Sequence, residues 1–244
     1  MSIFNVCSAS KAGSKHNHNE EENQDARAIL RREERVCLAL CDGAGSHRHS
    51  KKGAELVSRL AVTFLANLDW SRPFAEEAKR FLADVRTAVI EYAESMSLPP
   101  REFGCTMLAV AVSRGGMKAV QVGDGFIVCQ ESPEAEYTLL FPPAKGEYAN
   151  ETVFVASEEA ADKAQTHETG NPPFFVCLSS DGVDRQAIRF ADLKPHPPFF
   201  DYLIKIMRVG NDADGILEKF LAMDSLDQVT DDDRTLVLAM RQEK

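Results

Sequence analysis

Three apolar runs of this chain end at the same dipeptide, Asp-Gly. The aspartates are Asp42, Asp124 and Asp181, and a fourth acidic group, Asp231–Asp233, comes just before the apolar run 235–240. If these runs are strands of packed sheets, the aspartates meet on one rim of the sheets. Clustered carboxylates repel one another unless a cation neutralises them. Because hard divalent ions prefer oxygen ligands, the spacing predicts a Mg²⁺ or Mn²⁺ site.

A single Asp-Gly pair is also a common turn after a strand. The repetition of the pair, together with an acidic group that leads into a fourth strand, favours a metal site over unrelated turns. Glycine after each aspartate permits a sharp turn and lets a main-chain carbonyl approach an ion.

Length, composition and charge restrict the possible classes of protein. The chain has 244 residues, of which 44% are hydrophobic, and no break in composition, so we expect one domain over residues 1–244. A net charge of −10 argues against nucleic-acid binding, which needs a basic face. No apolar stretch reaches the roughly 20 residues of a membrane span, and the N-terminus lacks the pattern of a signal peptide. We therefore expect a cytoplasmic protein that does not bind membranes.

The six cysteines are also consistent with a cytoplasmic protein. They lie in apolar, strand-like surroundings, and none forms a Cys-x-x-Cys pair. Reduced cysteine behaves as a small hydrophobe in such places, so a zinc ribbon is not expected.

The hydrophobic pattern predicts many strands with inserted helix pairs. One helix carries an apolar stripe over residues 56–65, and a second begins near Pro73 and ends at residues 98–100. The runs 106–112 and 118–122 flank Gly115–Gly116, which is typical of a hairpin turn. Further strands are expected at 126–130, 137–141, 152–156 and 174–178, and helices between 181 and 231. Hairpins dominate, so we predict an α+β fold in which antiparallel sheets pack face to face with helices outside.

Six short motifs resemble, in order, those of the metal-dependent protein Ser/Thr phosphatases (the PPM family, type 2C), and the chain is most similar to the compact bacterial branch. They are Asn23–Ala26, Asp42–Ser46, Gly104–Thr106, Val122–Gly125, Ser180–Gly182 and Asp232–Thr235. Each motif is weak alone, but the ordered set covers roughly residues 8–240. The resemblance implies a β-sandwich in α-β-β-α layers and hydrolysis of phosphoserine and phosphothreonine in proteins, without a covalent phosphoenzyme.

The resemblance also implies a ligand set for two Mg²⁺ or Mn²⁺ ions that share a bridging water. Asp42 would bridge both ions and act in catalysis, and the carbonyl of Gly43 would bind one of them. Asp181 and Asp232 would complete the other. Such sites lower the pKa of a bound water and hold the attacking and leaving oxygens in line.

Two further acidic residues match positions near these ligands in the family. Asp124 corresponds to a position that helps to hold a third, weaker ion, and Asp25 to an acidic residue beside the ligands. Within the last motif the spacing to Thr235 favours Asp232 as the ligand and Asp233 as its neighbour, with Asp231 as a solvated turn residue.

The chain departs from the family pattern at one metal ligand and at the residue that binds the substrate phosphate. Gln24 stands where the family usually has glutamate, so the second ion would be held more through water. The arginine that binds substrate phosphate would fall near Glu20, where this chain has none. Lys15, His16 and His18 are the candidates to replace it.

A third departure affects the group that protonates the leaving oxygen. Many relatives have a histidine at the position of Ala44. His47, or alternatively His49, could act instead, because imidazole titrates near neutrality. Either histidine could equally be a solvated loop residue.

Two functions remain open at this point. The first is an active phosphatase that acts on phosphorylated proteins, expected to be a monomer. The second is a phosphatase-like module that has lost turnover and binds a phosphoprotein partner, which is suggested by Gln24, Ala44 and the missing arginine. A thiol-based tyrosine phosphatase is excluded, because no cysteine is followed by arginine at the required spacing. The segment 211–215 looks like a calcium loop, but Gly210 and Leu221 occupy ligand positions.

Overall fold

The computed structural model describes residues 3–14, 22–32, 34–141 and 152–242. Within these ranges the strands are β1 (Phe4–Lys11), β2 (Ala26–Arg32), β3 (Arg35–Cys41), β4 (Met107–Ser113), β5 (Gly116–Val122), β6 (Phe126–Gln130), β7 (Thr138–Leu139), β8 (Gln165–Thr169), β9 (Phe175–Ser179), β10 (Ile188–Arg189), β11 (Lys194–Pro195) and β12 (Arg234–Arg241). The helices are α1 (Ser50–Asn67), α2 (Phe74–Ser95), α3 (Ala160–Lys163), α4 (Asp184–Ala187), α5 (Pro197–Arg208), α6 (Ala213–Leu221) and α7 (Asp224–Asp227). Short 3₁₀ turns lie at Pro100–Phe103 and Asp181–Val183.

Two antiparallel sheets form the centre of the fold. Their strand orders are β1-β12-β9-β6-β7 and β2-β3-β4-β5-β8. Side chains alternate across each strand, so one face of each sheet points to the other sheet. The cluster between the sheets includes Leu38, Leu108, Val110, Leu178 and Val237. This packing confirms the predicted sandwich.

The outer face of each sheet is covered by a helix pair. On one side Cys37 and Ala39 of β3 pack against α1 and α2, whose apolar residues recur at the spacing of one helical face. On the other side Cys177 of β9 and Leu238 of β12 pack against α5 and α6. Helix α2 begins directly after Pro73, and Glu76 lies in its first turn, where negative charge favours the helix dipole. The α-β-β-α layers are therefore confirmed.

The sequence-based strand at 152–156 is wrong. The segment is a loop in which the amide of Val155 donates to the carbonyl of Cys105 at 2.9 Å, and the chain then turns where Ser157 bonds back to Phe154. Val155 is fully buried against the α1–α2 layer. The apolar side chain of Val155 therefore fills part of the core although the residue belongs to a loop.

The sequence pattern also missed β1, β2 and β8. Strand β8 is polar along its length, from Gln165 to Thr169, and it pairs with β5 at the edge of its sheet. Main-chain hydrogen bonds position it, so side-chain alternation gave no signal. The strand predicted at 137–141 shortens to β7.

All six cysteines are buried free thiols. This confirms the expectation of reduced, apolar cysteines. No helix within the described ranges combines the length and the apolarity that crossing a membrane requires.

Candidate metal centre

The strand-end aspartates lie together around one cleft of about 320 Å³. Asp42 follows β3, Asp124 lies in the turn between β5 and β6, and Asp181 follows β9. Asp232 and Asp233 precede β12 from the opposite direction. The two sheets therefore bring carboxylates from distant parts of the chain to a common rim, as the sequence predicted.

Asp42 is held at the rim by the neighbouring strand. Its carbonyl accepts a hydrogen bond from the amide of Thr106 at 2.8 Å, and its own amide donates to Oγ1 of Thr106 at 3.1 Å. Gly43 forms an isolated bridge with Cys105. A Cβ atom on Gly43 would lie 2.8 Å from the carbonyl oxygen of Gln24. Glycine is thus required here by close packing.

Gly182 allows two acidic segments to touch. A Cβ atom at this position would lie 2.1 Å from the carbonyl oxygen of Asp233. The backbone of Asp181–Gly182 therefore packs directly on the segment that carries Asp232 and Asp233. The sequence suggested that a sharp turn requires glycine after each aspartate. At Gly182 the requirement comes from the close approach of the two chain segments instead.

Asp233 connects three segments of the site. Its Oδ1 accepts a hydrogen bond from the amide of Gly13 at 2.9 Å, and its Oδ2 accepts one from the amide of Gln24 at 2.6 Å. Asp233 is buried, whereas Asp232 is exposed in the cleft. This division agrees with Asp232 as the candidate ligand, and it gives Asp233 an anchoring contact that the sequence did not reveal.

Asp25 lies beneath the cleft and is buried. Its Oδ2 accepts a hydrogen bond from the hydroxyl of Ser180 at 2.9 Å, and its Oδ1 has no hydrogen-bond partner among the described residues. Burial, and then the negative charges of Asp233 and Asp181, raise the pKa of Asp25 to about 7, although the hydroxyls of Thr235 and Ser180 act against the shift. An unpartnered buried carboxylate oxygen is costly unless a cation or water meets it.

Asp42 shows the same electrostatic effect more strongly. Burial raises its pKa well above the ordinary value, and the charges of Asp25, Asp181, Asp124 and Asp233 raise it further. The carboxylates around Asp42 destabilise its ionised form because they carry like charge close to a group with little access to solvent.

Asp181 and Asp184 extend this acidic region. Burial and the charges of Asp124, Asp232 and Asp184 raise the pKa of Asp181 to about 6. The pKa of Asp184 is also raised, chiefly by burial. Sequence reasoning missed Asp184, although its spacing of three residues from Asp181 places both on one helical turn.

The donors around the cleft fit a hydrated divalent ion. They are carboxylate and main-chain oxygens, with the buried Oε1 of Gln24 beside them, which has no hydrogen-bond partner among the described residues. Within the described part of the chain, no group of three or more His, Cys, Asp or Glu side chains is arranged to hold an ion unaided. Mg²⁺ keeps several of its waters and takes one or two carboxylates directly, so a rim of this kind suits it.

Asp124 and His47 have different relations to the cleft. Asp124 is exposed, and its Oδ2 accepts a hydrogen bond from Thr152 at 2.6 Å. His47 does not line the cleft. Its ring lies edge-on to Phe154, which does, with 6.4 Å between the ring centroids. His49 is turned away and stacks on Phe103 at 5.7 Å. Sequence reasoning missed the contact of Thr152 because the residue lies in the loop that was expected to be a strand.

The candidates for phosphate binding fall outside the described residues. These are Lys15, His16 and His18. Their assignment stays a sequence-based prediction.

Comparisons with known proteins identify the family of this chain. The sequence model of the protein phosphatase 2C family matches residues 12–226. Serine/threonine-protein phosphatase 3 of Escherichia coli strain K12 is 28% identical over 213 residues, which cover 84% of this chain and 83% of that protein.

Solved structures share the fold at low sequence identity. Serine/threonine phosphatase Stp1 from Staphylococcus aureus has a TM-score of 0.65 at 15% identity, and the match covers 98% of this chain and 96% of that one. RsbX in complex with magnesium has a TM-score of 0.58 at 12% identity, with the same coverage of 98% and 96%. The family match spans most of the sequence and includes Asp42, Asp124 and Asp181, three of the aspartates that meet at the cleft. This chain therefore belongs to the protein phosphatase 2C family.

Proposed function

We propose that this protein is an active, metal-dependent serine/threonine phosphatase that hydrolyses phosphoserine and phosphothreonine in proteins. The observation that carries the proposal is the cleft in which aspartates from separate strand ends raise one another's pKa. Such mutual repulsion opposes folding unless a cation is bound, so a scaffold without metal would have no physical need for it. The E. coli relative is named a serine/threonine phosphatase, which supports the same function.

We propose two ions at this site. Asp42 and the carbonyl of Gly43 would hold one Mg²⁺ or Mn²⁺ ion, and Asp42, Asp181 and Asp232 would hold the other. Asp124 would contribute to a third, weaker position. The magnesium bound to RsbX supports the choice of metal. Bound divalent ions supply Lewis-acid polarisation of the phosphate and lower the pKa of water.

The side chains around the ions would keep the ligands charged and oriented. Positive charge in the cleft favours the ionised forms of Asp42 and Asp181, because an opposite charge lowers a carboxylate pKa. Ser180 fixes one oxygen of Asp25 by donating its hydroxyl, and Oδ1 has no hydrogen-bond partner among the described residues. Asp233 keeps the segment before β12 in place through its two amide contacts.

We assign leaving-group protonation to His47, with His49 as the alternative. The contact of the His47 ring with Phe154, which lines the cleft, supports this role. We assign phosphate binding to Lys15 and His16.

A second candidate function is a catalytically silent module that binds a phosphoprotein. Gln24 and Ala44 both line the cleft, at positions where relatives usually have glutamate and histidine. The retained carboxylates count against this alternative.

Hydrolysis of an aryl phosphate and of a phosphothreonine peptide separates the two functions. Purified protein is assayed with Mn²⁺, with Mg²⁺ and with chelator, beside the variant Asp181→Asn and the control Asp162→Asn, whose carboxylate is exposed and distant from the cleft. Metal-dependent turnover that is lost only in Asp181→Asn would support the phosphatase. Absence of turnover with either metal would favour the binding module.

A further inference from the structure

A continuous path of surface cavities leads away from the candidate metal centre. An acidic cavity of about 420 Å³, lined among others by Asp184 and Asp231, shares Asp181 and Asp232 with the cleft. An apolar groove of about 720 Å³ shares Arg185 and Gln186 with that acidic cavity. The cleft, the acidic cavity and the apolar groove therefore adjoin one another in that order.

The apolar groove exposes large aromatic side chains. Phe190, in the turn between β10 and β11, is 56% exposed, and Tyr202 of α5 is 43% exposed. Both line the groove, with Phe199 and Phe220 at its base. The ring centroids of Tyr202 and Phe220 are 5.2 Å apart. Contiguous exposed aromatic surface is typical of a binding site, because its burial removes apolar area from water.

Gln186 lies at the junction of the acidic cavity and the apolar groove. Neither its Nε2 nor its Oε1 has a hydrogen-bond partner among the described residues, although both atoms are enclosed. An unpaired amide in such a place costs free energy. A rotation of this side chain toward the junction would present both atoms to one peptide group of a bound chain, which offers the acceptor and the donor that the amide lacks.

We propose that the apolar groove binds the segment of the phosphoprotein substrate that flanks the phosphoresidue, with a large apolar side chain of that segment held between Phe190 and Tyr202. The proposal rests on the proposed phosphatase function. A phosphoresidue in the cleft is covalently joined to its neighbours, and the path of cavities starts at two residues of the cleft itself. The tether raises the effective concentration of the apolar side chain at the groove.

Charge complementarity indicates which type of substrate residue lies between the phosphoresidue and the apolar side chain. Asp184, Asp227 and Asp231 face the acidic cavity. Asp227 is already paired with the buried Arg234, and Arg185 also lines the cavity. Asp184 and Asp231 together outweigh the single charge of Arg185 and leave net negative charge that a basic substrate residue would neutralise. The substrate class is therefore a phosphoprotein segment with a basic residue near the phosphoresidue and a large apolar residue beyond it.

The test compares Phe190→Ser and Tyr202→Ser with the matched control Val209→Ser. Val209 is 58% exposed and lines none of the three cavities. The substrates are an aryl phosphate and phosphothreonine peptides that carry phenylalanine, or serine in its place, at successive positions. With wild-type protein, phenylalanine at one spacing should raise kcat/KM by about tenfold. Phe190→Ser should remove this gain, and Val209→Ser should keep it. Turnover of the aryl phosphate should be equal in all variants.

Several outcomes would overturn the proposal. One is that phenylalanine gives no gain at any spacing, and another is that Phe190→Ser affects both peptide types equally. A wild-type dimer that dissociates in Phe190→Ser, seen by light scattering, would assign the groove to a second copy of the chain.

A separate binding measurement distinguishes failure of the groove from failure of the phosphatase. If the aryl phosphate is not hydrolysed with either metal, the proposed function fails. Fluorescence anisotropy of a labelled, non-hydrolysable phosphonate peptide then measures peptide binding and tests the role of the groove independently of turnover. Tighter binding of the phenylalanine peptide than of the serine peptide, lost in Phe190→Ser, supports it, and equal binding refutes it.

Discussion

The amide of Gln24 donates a hydrogen bond to Oδ2 of Asp233, and this contact joins residues 209 positions apart in the sequence. The same carboxylate accepts a bond from Gly13 through its other oxygen. One buried side chain therefore fixes the segment before β2 and the segment before β12 to each other. The geometry of the cleft depends on this contact because Asp232 is its direct neighbour.

Asp233→Ala should destabilise the protein by about 2 kcal/mol or more, because two buried amides lose their acceptor. Asp231→Ala is the matched control, since Asp231 is an exposed neighbour in the same acidic group. Chemical denaturation in the presence of chelator measures both variants without interference from metal. Equal stability of the two variants would contradict the anchoring role of Asp233.

Asp181→Asn should stabilise the metal-free protein while it removes activity. Burial and neighbouring carboxylates raise the pKa of Asp181 to about 6, so the ionised side chain is unfavourable in the folded state at neutral pH. A neutral amide of the same shape relieves that cost. The melting temperature in chelator at pH 7.5 should rise, and the stabilisation by Mn²⁺ should shrink. A lower melting temperature in chelator would show that the hydrogen bonds of the Asp181 carboxylate outweigh its repulsion by the neighbouring carboxylates.

The metal-free protein should lose stability as pH rises from about 5 to 8. Asp25, Asp181 and Asp42 all have pKa values above the ordinary value of 3.8 in the folded state, with Asp25 at about 7 and Asp181 at about 6. The folded state therefore binds more protons than the unfolded state in this interval, and its advantage disappears as these groups ionise. We expect a fall of about 5 °C or more in melting temperature in chelator, which saturating Mn²⁺ should largely remove. A flat pH profile in chelator would contradict the pKa shifts.

His47→Asn should reduce turnover of a phosphothreonine peptide more than turnover of an aryl phosphate. An alkoxide leaving group needs a proton, whereas a phenolate with electron-withdrawing substituents leaves without one. General acid catalysis typically contributes about a hundredfold or more, so the peptide rate should fall by a factor of this order. His49→Asn is the control. If only His49→Asn shows the selective loss, the acid role belongs to His49; if neither does, it belongs to neither histidine.

Gly182→Ala should impair both folding and turnover. The added Cβ would meet the carbonyl oxygen of Asp233 at 2.1 Å, and backbone at both sides cannot move without separating Asp181 from Asp232. We expect a loss of about 1–3 kcal/mol in stability, the usual cost of overpacking. Gly170→Ala is the control, because nothing lies within 4 Å of its Cβ position. Unchanged melting temperature and activity in Gly182→Ala would exclude this close contact.

The layered fold and the meeting of the aspartates could be predicted because both follow from local pattern. Apolar runs that end in Asp-Gly place Asp42 and Asp181 at strand ends, and the face-to-face packing of the two sheets then brings those ends to one rim. The anchoring contact of Asp233 could not be predicted, because its partners are main-chain amides that only the tertiary fold brings near. The assignment of Asp42, Gly43, Asp181, Asp232, Asp124 and Asp25 to individual ions stays a proposal.

The errors have equally physical causes. Residues 152–156 look like a strand because most of them are apolar, yet only Val155 of the segment is buried, and it is buried from a loop. Strand β8 looks like a loop because its residues are polar, yet its main chain completes a sheet edge. The hydrophobic pattern of a sequence indicates which side chains are buried, whereas strand pairing depends on hydrogen bonds of the main chain.

The pairing of β1 with β12 affects how the chain folds during synthesis. Phe4 lies opposite Arg241 and Lys11 opposite Arg234, so the first strand is ordered by the last one. During translation, β1 leaves the ribosome long before its partner exists, and the sheet that contains β12 can close only after β12 has been synthesised. Contacts of such long sequence separation fold slowly, and an unpaired strand is prone to aggregation in the meantime. A nascent chain that stalls before residue 232 would lack both a complete sheet and Asp232, so partly made molecules of this kind should be inactive as well as unstable.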